Sequence, residues 1–186
     1  MTPKELQTIS RGRRRSRQSG AELLEFTLAL LPMLAMIFFL LDISWAVYAK
    51  STLQRAVRLG VRSGITLTST QMASGACLTD TVKSLVQANS SGLLRGTAGL
   101  ALIKVNYYQP PAANSTSNIV DVSTQSYGNT PGNIMQVSVQ GFQLLPLVPR
   151  IYGWGQRADM SPTSISVYAA DLIEPSREPP CIGTAP

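Results

Sequence analysis

Histidine is absent from all 186 residues. That excludes imidazole metal sites and every catalytic arrangement in which a histidine activates a nucleophile. Cysteine occurs only as Cys77 and Cys181, which cannot build a zinc site by themselves. Without histidine, catalysis would need a Ser–Lys or paired-carboxylate site. Lys83, Lys104, Asp80, Asp121, Asp159 and Asp171 show no diagnostic spacing for either. An enzyme is therefore the poorest fit, and no metal or cofactor is expected. Charge is scarce as well, at 14% of residues against about 25% in ordinary domains. With a slightly positive mean hydropathy, this excludes a disordered charged tail. The net charge of +6 is not a nucleic-acid-binding face. Residues 1–20 hold Lys4, Arg11, Arg13, Arg14, Arg15 and Arg17 against Glu5, which accounts for +5 and leaves +1 for the rest.

The basic segment adjoins an apolar run. Phe26 to Leu41 (FTLALLPMLAMIFFLL) contains no charge over sixteen residues, and after Asp42 the apolar character continues to Ala49. Sixteen helical residues span about 24 Å, and adding Leu23, Leu24 and the stretch to Ala49 covers a hydrocarbon core of about 30 Å. Trp45 and Tyr48 would sit at interfacial depth, and the arginines before the run place the N-terminus in the cytoplasm. The competing reading is a signal peptide removed after Ala49. Against it, helical spacing continues through STLQRAVRLGVRSGI: Leu53, Ala56, Val57, Gly60, Val61 and Gly64 share one face, and Arg55, Arg58 and Arg62 another. The pattern predicts one helix from about Glu22 to about Ile65, lipid-embedded first and amphipathic second, with Pro32 inside it. Core packing is the expected role of Leu53, Val57 and Val61, and a solvated helix side that of the arginines.

Between leader and run lies Gly20–Ala21–Glu22–Leu23–Leu24–Glu25–Phe26. A polybasic leader ending in glycine, with glutamate five residues on and an apolar run behind it, resembles a prepilin-type signal cut after glycine on the cytoplasmic side. Together with Asp42, the Trp45/Tyr48 aromatic pair and STLQRAVRLGVRSG, the pattern from Gly20 to Gly64 resembles TadE-like pseudopilins, minor subunits of tight-adherence (Tad, type IVc) pili. Farther on, the likeness is carried by Cys77, the strand patterns and Ser166–Val167–Tyr168–Ala169. The resemblance implies cleavage between Gly20 and Ala21 by a prepilin peptidase. It further implies an assembly role for Glu25, whose carboxylate would neutralise the α-amino group of an incoming subunit's Ala21. The implied partners are that peptidase, other pilins and pseudopilins of the same pilus, the Tad inner-membrane assembly platform and the lipid bilayer. Implied localisation is the inner membrane, with a cytoplasmic N-terminus, a periplasmic C-terminal domain and possible passage into the surface pilus. Two other roles compete: an uncleaved single-pass protein with a periplasmic partner-binding domain, in which Glu25 snorkels to water, and a secreted enzyme.

From Leu67 onward Ser, Thr, Gly, Asn and Pro dominate, as in a domain with many turns. Leu78, Val82, Leu85 and Val86 fall on one face of a short helix ending near Asn89. Three stretches alternate as strands: Ile103/Val105/Tyr107, Met135/Val137/Val139 and Ile165/Val167/Ala169. The expected fold is α+β, with the long helix packed against a small antiparallel sheet of about three strands plus a short helix. The expected divisions are a leader (1–20), the transmembrane and amphipathic helix (21–66) and a periplasmic domain with a Pro-rich tail (67–186). Cys77 and Cys181 would both lie in an oxidising compartment and are expected to pair. Residues 109–133 show no usable pattern, and 144–154 read as an apolar loop broken by two prolines.

Overall fold

The computed structural model describes residues 15–68, 70, 76–112, 118–144, 163–175 and 181–183. The first fourteen leader residues, Asp159, nearly all of the apolar loop 144–154 and most of the Pro-rich tail lie outside them. In chain order the elements are α1 (Arg15–Thr66), α2 (Leu78–Ala88), α3 (Gly96–Ala101), β1 (Ile103–Gln109), β2 (Val120–Asp121), β3 (Ile134–Leu144) and β4 (Thr163–Leu172). The fold is α+β. The chain divides into two compact units within α1, one reaching Ser44 and the other beginning at Trp45.

In the second unit the sheet runs β2-β1-β3-β4, and every neighbouring pair is antiparallel. Strand alternation builds its core. Register places Ile103 opposite Val139, Val105 opposite Val137 and Tyr107 opposite Met135, then Val137 opposite Ala169 and Val139 opposite Val167. This inward set, with Ala169 only partly covered, joins Leu53, Ala56, Val57, Val61 and Ile65 of α1 and Leu78, Val82 and Val86 of α2 in one cluster. Burying each valine, leucine, isoleucine or methionine of this cluster stabilises the fold by about 1.5–3 kcal/mol. The Tyr107 hydroxyl is satisfied inside this core by the Thr79 hydroxyl at 3.1 Å.

Gly60 and Gly64 let α2 and β3 come close to α1. A Cβ on Gly60 would lie 2.4 Å from Val86 Cγ2, and one on Gly64 2.7 Å from Met135 Sδ and 2.9 Å from Val82 Cγ2. The sequence places both glycines on the buried face; the structure shows that they are the contact surface itself.

Two elements exceed the sequence expectation. β2 is only two residues long, too short for alternation to register, and α3 (GTAGLA) has no apolar period. The patternless region before β3 is held by hydrogen bonds. Tyr107 N donates to Ser123 Oγ at 2.9 Å, and buried Asn133 donates from Nδ2 to the Gly128 carbonyl at 2.9 Å. In β3 the register shifts between Val139 and Phe142, where Gly141 takes φ +72° and supplies the left-handed residue of a bulge.

Cys77 and Cys181 form a disulfide across a sequence separation of 104 residues, with Cα atoms 4.9 Å apart. Closing so long a loop restricts the unfolded chain, an effect worth up to about 4.7 kcal/mol in the chain-entropy model. Cys181→Ser is expected to lower stability by about 2–5 kcal/mol, read as a reduced urea midpoint of the full chain in mild detergent. An unchanged midpoint would show that the crosslink adds nothing.

Candidate processing and membrane segment

α1 starts at Arg15, seven residues before the expected Glu22. The leader's arginines carry no apolar period, so periodicity gives no signal for this first stretch. Gly20, Ala21, Glu22 and Glu25 are all exposed, and the Gly20–Ala21 bond lies inside the helix. Residues four apart share a helix side, so Ala21 and Glu25 stand one above the other, about 6 Å apart along the axis.

Gly20 differs from the packed glycines. A Cβ there would meet nothing within 4 Å. Glycine costs a helix interior about 1 kcal/mol relative to alanine, and among the described residues no close contact at Gly20 offsets that cost.

Beyond the junction, Leu28 is 73% exposed, Leu31 70% and Met36 67%, and Leu23, Leu24, Phe26, Met33 and Phe39 are similarly bare. An apolar surface this large requires an apolar surrounding. Polar groups along it are satisfied locally. Thr27 Oγ1 donates to the Leu23 and Leu24 carbonyls at 3.0 and 2.9 Å, and Ser44 Oγ to the Leu40 carbonyl at 2.7 Å. Hydroxyls turned back onto their own helix suit hydrocarbon, where water is not at hand. Pro32, inside the helix, has no N–H to donate to the carbonyl one turn earlier.

The apolar stretch ends at a stacked aromatic pair, Trp45 and Tyr48, with ring centroids 5.7 Å apart and both about half exposed. Ala49, one residue on, is fully buried. Arg55, Arg58 and Arg62 then stand exposed on the side of α1 away from its buried residues. By length and composition, the segment Gly20–Thr66 contains a membrane-crossing stretch with none of that stretch buried. This fits a single-pass membrane protein.

The structure thus places Gly20, Ala21 and Glu25 on adjoining turns of α1, at the edge of its exposed apolar stretch. Cys77 and Cys181 are joined in the packed domain. Among the described residues no group of three or more Cys, Asp or Glu is placed to hold a metal ion.

No curated protein and no solved structure matches the chain. The family model described as TadE-like protein matches residues 20–62, so the segment that begins at the junction glycine and ends at Arg62 is TadE-like.

Proposed function

We propose that the protein is a minor pilin, held in the inner membrane, cut by a prepilin peptidase between Gly20 and Ala21, and then used in assembling a Tad-type pilus. Its role is structural rather than enzymatic. The observation that carries this reading is the family match beginning at Gly20, where a Cβ would meet nothing within 4 Å among the described residues.

Helix electrostatics support cleavage at this bond. Uncut, α1 has no acidic residue in its first turn, where the helix dipole favours one. Cutting after Gly20 leaves Ala21–Glu22–Leu23–Leu24–Glu25 as the new first turns. Two carboxylates then face the positive end of the helix and the new α-amino group, which is largely cationic at neutral pH because such amines titrate near about 7.7–8.0. Glu25 is the deeper of the two, and in filament assembly it neutralises the amine of a neighbouring subunit. An acid at this depth is a functional candidate by default, since a carboxylate in the bilayer needs a partner.

Gly20→Arg tests the processing site. The long side chain should block the peptidase, so that uncut protein accumulates in the inner membrane. Among the described residues nothing lies within 4 Å of a Cβ at this position, so the first carbon of the new side chain meets no packed group. Normal maturation of this variant beside its cognate peptidase would refute the proposed site.

A further inference from the structure

The N-terminus of α2 is capped from the far end of the chain. Its N-cap residue, Cys77, makes no side-chain capping bond, so the first-turn amides need acceptors from elsewhere. Leu78 N donates to the Cys181 carbonyl at 2.9 Å and Thr79 N to the Ile182 carbonyl at 3.0 Å. Ile182 packs against the core cluster. Gly183 lies against the same turn at φ +89°, where a Cβ would come within 2.9 Å of Cys77 Cβ and 3.0 Å of Asp80 Oδ2. The capped helix is the one whose Val82 and Val86 press on Gly64 and Gly60 of α1. A single covalent bond, Cys77–Cys181, holds this capping segment at its place.

We infer that the disulfide is a redox latch: its formation docks residues 181–183 onto the first turn of α2 and so completes the seat of α2 on α1. Without the bond, non-covalent contacts, among them the backbone hydrogen bonds from Leu78 and Thr79 and the packing of Ile182, must hold the segment against its own chain entropy. With it, the segment is tethered at the contact. The two thiols are oxidised to the disulfide by a disulfide-bearing oxidant, which takes up both electrons and both protons; a dithiol reductant reverses the reaction. Such bonds persist in oxidising compartments and not in the cytosol, so the latch closes only where the surroundings are oxidising. The inference rests on the geometry of the packed domain and is independent of the pilin reading.

Hydrogen–deuterium exchange resolved to single amides tests it, on the full chain in detergent micelles, before and after dithiothreitol. The reagent gives two cysteine thiols and its own cyclic disulfide. Reduction should speed exchange at Leu78 and Thr79, and across 81–86, at least ten-fold more than the general acceleration that the lost crosslink brings to β1 and β3. Cys77→Ser with Cys181→Ser should reproduce the reduced pattern. If that variant does not fold, reduction of the folded wild-type protein remains decisive. Unchanged protection at Leu78 and Thr79 overturns the latch. So does acceleration at Leu78 and Thr79 no greater than in β1 and β3, which would mark the bond as a general staple only.

Discussion

Glu25→Gln should be cut and inserted like the wild type yet fail to support pili. The substitution keeps the side chain's shape and removes only its charge. A peptidase reading the basic leader and Gly20 has no use for that charge, whereas docking in the proposed mechanism needs a carboxylate beside the neighbour's Ala21 amine. At about 4 Å and an effective dielectric near 20, the attraction is about 4 kcal/mol before desolvation is subtracted. A net remainder of about 1.4 kcal/mol still changes docking about ten-fold. Glu25→Asp, shorter by one methylene, should restore part of the function. Glu22 supplies the control: it is exposed like Glu25 but lies next to the terminus, too close to reach a subunit displaced along the filament. Glu22→Gln should therefore do less damage. Wild-type piliation with Glu25→Gln would leave that residue as an interfacial charge and nothing more. Counting surface pili beside an immunoblot for the cut form separates assembly from processing.

Gly60→Leu should unseat α2 and cost the packed domain about 3 kcal/mol, the upper part of the usual range for overpacking. Even the first carbon of the new side chain would lie 2.4 Å from Val86 Cγ2. Gly60→Ala isolates that contact. Alanine favours the helix by about 1 kcal/mol, and the collision with Val86 works against the gain. Trimming the partner in Gly60→Ala/Val86→Ala should relieve the collision, giving a favourable coupling in a double-mutant cycle. Gly20→Ala is the reference: with nothing near its Cβ, it should leave the packed domain unchanged. Urea midpoints of the full-length proteins in mild detergent give the comparison. Equal stability of Gly60→Leu and wild type would show that α2 does not press on this face of α1.

What the sequence disclosed and what it hid follow from the range of each interaction. The faces of α1 and of the three long strands were legible because burial imposes a period of 3.6 or 2 on consecutive residues. Leu53, Val57 and Val61 are buried as that period requires, as are Ile103, Val105 and Tyr107. Arg55, Arg58 and Arg62 are exposed for the same reason. Interactions set by residues distant in the chain leave no local period. The cap on α2 is supplied by Cys181 and Ile182, roughly a hundred residues away, and no pattern near Leu78 announces it. The anchoring of Ser123 and Asn133 before β3 is likewise a matter of individual hydrogen bonds. At the junction the position is reversed. The reading of Gly20, Ala21 and Glu25 rests on their spacing after a polybasic leader, and the fold adds that a Cβ on Gly20 would meet nothing within 4 Å among the described residues.

The central claim, cleavage between Gly20 and Ala21, is tested most directly by the N-terminal sequence and intact mass of the protein isolated from the membranes of a host with its cognate peptidase. The account predicts a chain beginning at Ala21, with the leader's residues missing from the mass. A chain beginning at Met1 would contradict it and leave an uncleaved single-pass anchor, and one beginning at Lys50 would make the apolar run a discarded signal peptide.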